Sequence, residues 1–190
     1  MSWKDENMWE RNWWGHCINT FAEEVKQFVY AEKMGLFVYN YSVDMNDKSV
    51  IDIGGGPVSF LLKCRNVQGY VVDPCFFPSW IWQRYKMAGI EYLQSKGEDF
   101  TGIVADEVWL YNCLQHTDEP KKVVENAKRH GKIVRVFEWV YTSIEPGHPH
   151  SFDQETLDEW FGGQGYCHEI NEGGCVGTCY YGVFDGQPKN

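Results

Sequence analysis

"SVIDIGGGPVSFLLKC", residues 49–64, joins a β-branched apolar run to three consecutive glycines, a proline and a second apolar run. Val50, Ile51 and Ile53 read as a strand buried on both faces, interrupted by one charge, Asp52. Gly54, Gly55 and Gly56 end that strand. Pro57, with its fixed φ, suits the first turn of a helix, predicted over 57–64. Backbone N–H groups at such a helix start are open to a small polar ligand that must approach the main chain closely.

The remainder of the chain alternates in the same way. Upstream, residues 9–36 read as helical, with Phe21, Val25, Phe28 and Val29 at apolar positions and Gly35 as a stop. Downstream, "GYVVD" is a second strand ending at Asp73, "PSWIWQRYKMAG" a helix and "IEYLQ" a third strand. "DEVWLYN" is a fourth strand, "DEPKKVVENAKRHG" a helix with an acidic first turn, and "KIVRVFEWV" a fifth strand. "SFDQETLDEWFGG" reads as a helix capped by Ser151, and "YCHEI" with "GTCYYGVF" as an antiparallel hairpin about Gly173 and Gly174. This pattern predicts an α/β fold: a Rossmann-like, doubly wound, mostly parallel seven-stranded sheet with helices on both faces, an antiparallel C-terminal hairpin and an N-terminal helical cap. One domain is expected over 1–190, divided into the cap, 1–48, and the core, 49–190. Ligands of such sheets sit beyond the carboxyl ends of the strands, where the strand order reverses.

Composition narrows the function classes. Hydrophobic residues make up 43% of the 190 and aromatics 16%, enough for a core without staples. Fraying is expected only in the first dozen residues and in the tail "DGQPKN". No apolar run approaches the ~20 residues that cross a bilayer and no apolar signal segment follows Met1, so a cytoplasmic protein away from the membrane is expected. A formal net charge of −10 and a pI near 5.0 disfavour a duplex nucleic-acid partner, because an acidic surface repels phosphates. The seven cysteines, with no secretory signal, read as reduced thiols. Cys167, His168, Cys175 and Cys179 lie close in sequence but lack zinc-ligand spacing, and neighbours on a strand point to opposite faces. Packed thiols and no metal are expected there.

Two ligand classes compete for the glycine loop. A dinucleotide needs G-x-G-x-x-G, and here Gly56 is followed by Pro57, Val58 and Ser59 without the third glycine. Asp52 stands two residues before Gly54, where it would repel a pyrophosphate and attract an ammonium or sulfonium group. Asp73, closing the second strand, is placed to accept two ribose hydroxyls, and Glu98 and Asp99 of "GED" to read an adenine edge. An adenosine with a cationic amino-acid tail satisfies all three acidic positions. That ligand is S-adenosylmethionine, whose product is S-adenosylhomocysteine.

"VIDIGGGP", "VVDP", "GED" and "DEVWLYNCLQHTDEP" together resemble the successive motifs of class I S-adenosylmethionine-dependent methyltransferases, and most nearly the small methyltransferase-11 type. The fourth-strand segment matches that group at Asp106, Val108, Leu114, His116 and Pro120, and the likeness runs from about Ser49 to Phe184. Val58 departs from it, standing where the group carries its third glycine. The resemblance implies that Asp52, Gly54, Gly55 and Gly56 line the methionine tail and that Asp73 takes the ribose. Pro74 and Cys75 would border the adenine and Glu98 and Asp99 meet its edge, while Asn112, Leu114 and His116 would lie under the sulfonium. "DPC" at 73–75 ends the second strand, whereas the Pro-Cys nucleophile of cytosine-C5 methyltransferases follows the fourth. No "DPPY" or "NPPY" follows the fourth strand either, so the amino-methylating DNA enzymes lack support.

Methyl transfer of this kind is an in-line displacement that needs no metal and no covalent intermediate. Holding the acceptor about 3 Å from the methyl and excluding water supplies most of the rate. A base matters only for an acceptor that must lose a proton. His116 is the first candidate, with Asn112 beside it and His148 and His150 of "GHPHS" as the alternatives. Each of these residues also has a structural reading as a cap, turn former or packed side chain, strongest for Glu98 and Asp99. Trp13 and Trp14 precede the sheet and are candidates to wall the acceptor pocket; neighbours on a helix do not share a face, so at least one is expected to reach the cleft or an interface. Trp9 is expected to pack on the sheet. The acceptor is expected to be a small molecule. The alternatives are an enzyme acting on a protein or RNA, a non-methylating S-adenosylmethionine-binding protein, or an NAD-dependent oxidoreductase.

Overall fold

The computed structural model describes residues 8, 12–14 and 17–188, with the backbone alone at 17 and 18. Trp9 and most of the first dozen residues lie outside them, as does the end of the tail. After a short helical piece at 12–14, the chain runs through α1 (Cys17–Lys33), β1 (Val43–Ile53), β2 (Cys64–Val72), α2 (Ser79–Met87) and β3 (Glu91–Leu93). It continues through β4 (Ala105–Tyr111), α3 (Pro120–His130), β5 (Gly131–Trp139), α4 (Gln154–Phe161), β6 (Tyr166–Glu172) and β7 (Cys175–Asp185). The seven strands form one sheet in the order β3-β2-β1-β4-β5-β7-β6. β1, β2, β3, β4 and β5 pair in parallel, and β7 runs antiparallel to both β5 and β6.

β1 is central, which is why Val50 to Ile53 are buried without alternation: β2 and β4 flank the strand and both of its faces are covered. Val50, Phe60, Trp109, Tyr111 and Phe137 build one core with Tyr30 and Met34 of α1 and Ile81 and Tyr85 of α2. Ile51, Ile53, Val108, Leu110 and Val136 build the other with Val123, Val124 and Ala127 of α3 and Leu157 of α4. The thiols divide the same way, with Cys175 and Cys179 in the first core and Cys167 packed against the second.

Three local expectations are corrected. β1 begins at Val43, well before the apolar run, because a bulge at Asn46 and Asp47, with φ of 52° and 62°, lets a polar segment join the ladder. The helix predicted over 57–64 is replaced by two 3₁₀ turns, Gly56–Val58 and Phe60–Lys63, that lead straight into β2. The N–H groups of Ser59 and Phe60 donate to the buried hydroxyls of Tyr85 (2.9 Å) and Tyr111 (3.0 Å), and Gly56 O accepts from Tyr85, so the Phe60 N–H and Gly56 O that a helix would have joined are both engaged elsewhere. α4 is capped by Asp153, whose carboxylate accepts from Thr156 N–H at 2.8 Å, and not by Ser151.

Candidate functional site

A cleft of about 810 Å³ opens at the carboxyl ends of β1, β2, β4 and β5. Its floor is the glycine loop. Gly54 and Gly56 take left-handed backbone conformations, φ 73° and 58°. A Cβ on Gly54 would stand 2.6 Å from Cys113 Cβ, and one on Gly56 would stand 3.4 Å from the Trp14 ring. Only glycine permits both the turn and the close approach.

Asp52 lies beneath this loop and does not line the cleft. It is fully buried, and its Oδ2 accepts from the Ser59 and Tyr111 hydroxyls, the latter at 2.7 Å. Tyr85 donates from its hydroxyl to Gly56 O at 2.7 Å, so two tyrosines and one carboxylate fix the loop from below. Gly55 is likewise inward, and a Cβ there would meet Asp52 Oδ2 at 2.6 Å. Burial raises the Asp52 carboxyl to about 7 against the two hydroxyls that lower it, and the nearby Asp73 raises it further. Its Oδ1 has no hydrogen-bond partner among the described residues.

Asp73 reaches the cleft wall at the end of β2. Its Oδ2 accepts from Gly56 N–H at 3.0 Å and its Oδ1 from Cys75 N–H at 2.8 Å. The carboxylate thus couples the glycine loop to the turn after β2. Pro74 and Cys75 line the cleft next to it.

Glu98 also borders the cleft, but its Oε1 accepts from the N–H groups of Asp118 and Glu119, each at 3.1 Å. It supplies from across the fold the negative charge at the start of α3 that the sequence placed in the helix's own first turn. Asp99 is exposed, paired with Lys122 at 3.5 Å and away from the cleft. Leu114 is fully buried in the second core, also away from it.

Asn112 lines the cleft in a left-handed conformation, φ 49°. Its Oδ1 accepts from Gln115 at 3.1 Å and its Nδ2 donates to Glu23 at 3.4 Å. His116 lines the cleft with its Nδ1–H donated to Gly147 O, and burial lowers its pKa to about 4 in spite of that bond. It is neutral at physiological pH. His148 lines the cleft beside it, the ring centroids 4.6 Å apart. His150 does not line it: its Nε2 stands 2.7 Å from Thr117 O and its ring stacks on Phe152. Trp13 and Trp14 both reach the cleft, edge to face at 4.7 Å and 87°. A perpendicular pair at the mouth, unlike two neighbours in a long helix, presents both rings to one space.

The sequence reading passed over several residues. Glu23 of α1 is 6% exposed and lines the cleft with Lys26, its partner at 3.6 Å. Trp139, Tyr141, Thr142 and Glu145 follow β5 into the same wall, and Val176 and Thr178 enter from the hairpin. Glu138, fully buried, accepts from the N–H groups of Cys113 and Leu114, the latter at 2.9 Å, and so fixes the turn carrying Asn112 and His116. A lone Glu inside the β-branched run "KIVRVFEWV" was the signal that could have found it.

No family model and no curated protein matches the chain. Solved structures do. The N-methyltransferase NodS of Bradyrhizobium japonicum, in complex with S-adenosyl-L-homocysteine, superposes at a TM-score of 0.65 with 10% identity, covering 96% of this chain and 98% of its own. The fold is that of the class I methyltransferases. The 1,6-didemethyltoxoflavin N1-methyltransferase of Burkholderia thailandensis matches at 0.61 with 14% identity, covering 90% of this chain and 82% of that one. A SAM-dependent methyltransferase of Thermotoga maritima matches at 0.60 with 12% identity, covering 90% and 95%. Among the described residues the class I fold includes the antiparallel C-terminal pair. No helix among the described residues is long and apolar enough to cross a membrane.

Proposed function

We propose that the chain is an S-adenosylmethionine-dependent methyltransferase acting on a small molecule. The observation that carries this reading is Asp73, which stands at the end of β2 in the cleft wall and is tied by a 3.0 Å bond to the Gly56 N–H. The residues fit the cofactor. A Cβ on Gly56 would enter the space between the loop and the Trp14 ring, and among the described residues the lining carries five carboxylates (Glu23, Asp73, Glu98, Asp118, Glu145) against two ammonium groups (Lys26, Lys96). That field suits a cationic tail and opposes a pyrophosphate. Asp73 would hold the ribose hydroxyls, Pro74 and Cys75 would border the adenine, and the glycine loop with Asn112 would hold the methionine end. The bound cofactor supplies a methyl carbon on a positively charged sulfur, which leaves as a neutral thioether. The chain's residues orient the acceptor and keep water out, with Trp13, Trp14 and Trp139 walling the mouth. No duplex nucleic acid is expected in a cleft so acidic.

S-adenosylhomocysteine should stabilise the chain by about 2.7 kcal/mol at a hundredfold excess over its Kd, raising Tm by roughly 5–10 °C in a thermal melt. NAD should not. A shift with NAD alone would promote the oxidoreductase reading and remove this one. Asp73→Ala should weaken S-adenosylhomocysteine binding by about 1–3 kcal/mol in calorimetry, and Asp73→Asn, which keeps one acceptor, by less. Unchanged affinity in a folded Asp73→Ala chain would take Asp73 out of the site.

A further inference from the structure

Six carboxylates are buried among the described residues: Glu23, Asp52, Asp73, Glu98, Glu107 and Glu138. All but Glu23 accept at least two hydrogen bonds of 3.1 Å or less. Glu23 is the exception. Its side chain is 8% exposed, yet its Oε1 accepts from Asn112 Nδ2 at 3.4 Å and its Oε2 stands 3.6 Å from Lys26 Nζ. Both distances exceed the ~3.2 Å of an ordinary N–H···O bond. The Tyr30 hydroxyl is also near: burial, and after it the Glu23 charge, raise that phenol well above its ordinary pKa. This hydroxyl makes no hydrogen bond of ordinary geometry among the described residues. A buried charge so poorly served is costly until a further donor reaches it.

Glu23 lines the half of the cleft away from Asp73. Gly54, Gly56 and Asp73 stand over the ends of β1 and β2, whereas Glu23 meets Asn112 just beyond β4. Its neighbours on α1 face still further along the sheet. Tyr30 stacks on Phe137 of β5 with ring centroids 4.3 Å apart, and a Cβ on Gly174, in the turn before β7, would stand 3.9 Å from Lys26 Cγ. Trp139, at the end of β5, completes this corner: it stands near Tyr30 and lines the cleft with Glu23. It packs on Gly177 so closely that a Cβ there would lie 3.3 Å from the ring. A carboxylate and an indole in one corner both favour a cation, the first by charge and the second through the negative face of its ring. Lys26 lends its ammonium from 3.6 Å, but at 30% side-chain exposure it reaches water as readily and yields its place to a ligand.

We propose that Glu23 is a specificity-determining residue: together with Trp139 it anchors an ammonium group on the acceptor, which is therefore a small amine that binds as a cation. The inference rests on the methyltransferase reading. A carboxylate accepts and cannot donate, so the missing hydrogens come from the ligand, and an ammonium brings up to three. The ammonium is the handle by which the acceptor is held; no proton and no methyl group moves at Glu23. A neutral ligand of the same shape forfeits the attraction between charges, and an anionic one meets Glu23 as a like charge.

Calorimetry on the full-length chain saturated with S-adenosylhomocysteine tests this with probes of one shape: phenethylammonium, phenethyl alcohol and phenylacetate. The ammonium should bind at millimolar concentration or below, roughly tenfold or more tighter than the alcohol and the carboxylate. Glu23→Gln should remove that preference, and Lys26→Met should keep or enlarge it. No binding of the ammonium, equal binding of the three probes, or a preference for phenylacetate overturns the proposal. So does an ammonium preference that survives Glu23→Gln. Titrating S-adenosylhomocysteine alone into the same chains separates the two sources of an ammonium. A loss of about tenfold or more in Glu23→Gln would assign the carboxylate to the cofactor's own amino group and overturn the acceptor handle. A wild-type chain that does not bind S-adenosylhomocysteine loses the methyltransferase reading, and one that binds it without preferring the ammonium loses the present inference alone.

Discussion

Gly54→Ala should lower the affinity for S-adenosylhomocysteine at least tenfold and destabilise the chain by about 2–4 kcal/mol. Two independent penalties add there. The residue holds φ 73°, which disfavours any side chain, and its Cβ would stand 2.6 Å from Cys113 Cβ. Cys113 cannot retreat, because its N–H is bonded to buried Glu138 and the following N–H to the same oxygen. Gly54 N–H also donates to Val72 O at 2.8 Å, so a shift of the loop would open the end of the β1–β2 ladder. Gly102→Ala is the control: φ is 84° but nothing lies within 4 Å of its Cβ, so only the conformational cost of about 1 kcal/mol remains. Urea denaturation of both variants checks the difference. Equal losses would show that the contact with Cys113 is easily relieved.

Stability should fall as pH rises from about 5 to about 7.5, by roughly 2–4 kcal/mol. Burial raises the carboxyls of Asp52 and Glu138 to about 7 each, against the hydroxyls and N–H groups that pull them down. Their ordinary values lie near 4, so between about 4 and 7 the folded chain binds more protons than the unfolded one, and stability declines with rising pH. His116 works in the opposite direction below 6.5, because its folded pKa is lowered to about 4, but it is one group against two. On the acid side Glu107 counts. Burial raises its pKa, but the Arg135, Lys48 and Trp109 bonds prevail and hold it at about 2, so its contribution is lost only as pH drops from about 4 toward 2. Asp52→Asn should remove most of the neutral limb, because one raised carboxyl then stands against one lowered histidine, and should leave the acid limb alone, as read from urea midpoints at a series of pH values. An unaltered neutral limb in that variant would place the titration elsewhere.

The contrast between Asp52 and Asp73 separates what sequence can carry from what it cannot. Both stand at strand ends beside the same glycines, and sequence spacing assigned both to the cofactor. Asp73 follows Val72, the last residue of β2, and its side chain reaches the cleft wall. Asp52 lies within β1 on the face that carries Tyr111, and the strand's alternation turns it down into the core. Glu98 and Asp99 divide for a similar reason: one carboxylate is captured by the free N–H groups at the start of α3, and its neighbour is left in solvent. Glu145 and His148 close the Pro-Gly turn of "EPGH", and no local signal distinguishes the histidine that meets a carboxylate from His116 or His150.

The order of the strands, and of every helix but the one after the glycines, was determined by the sequence alone, because hydrophobic periodicity and glycine or proline punctuation act within a few residues of where they stand. The same local signals determined that a glycine turn and an acidic strand end would meet at the carboxyl edge of a parallel sheet. Only the tertiary structure decided the rest. The predicted helix after the glycines gave way to 3₁₀ turns because Tyr111, brought from β4, takes the Phe60 N–H and Tyr85, brought from α2, donates to Gly56 O, the two groups a helix would have joined. Which histidine faces a carboxylate and which a carbonyl depends on a turn after β5 meeting the segment after β4. Burial and long-range hydrogen bonds set the charge state of a side chain, and both are properties of residues far apart in the chain.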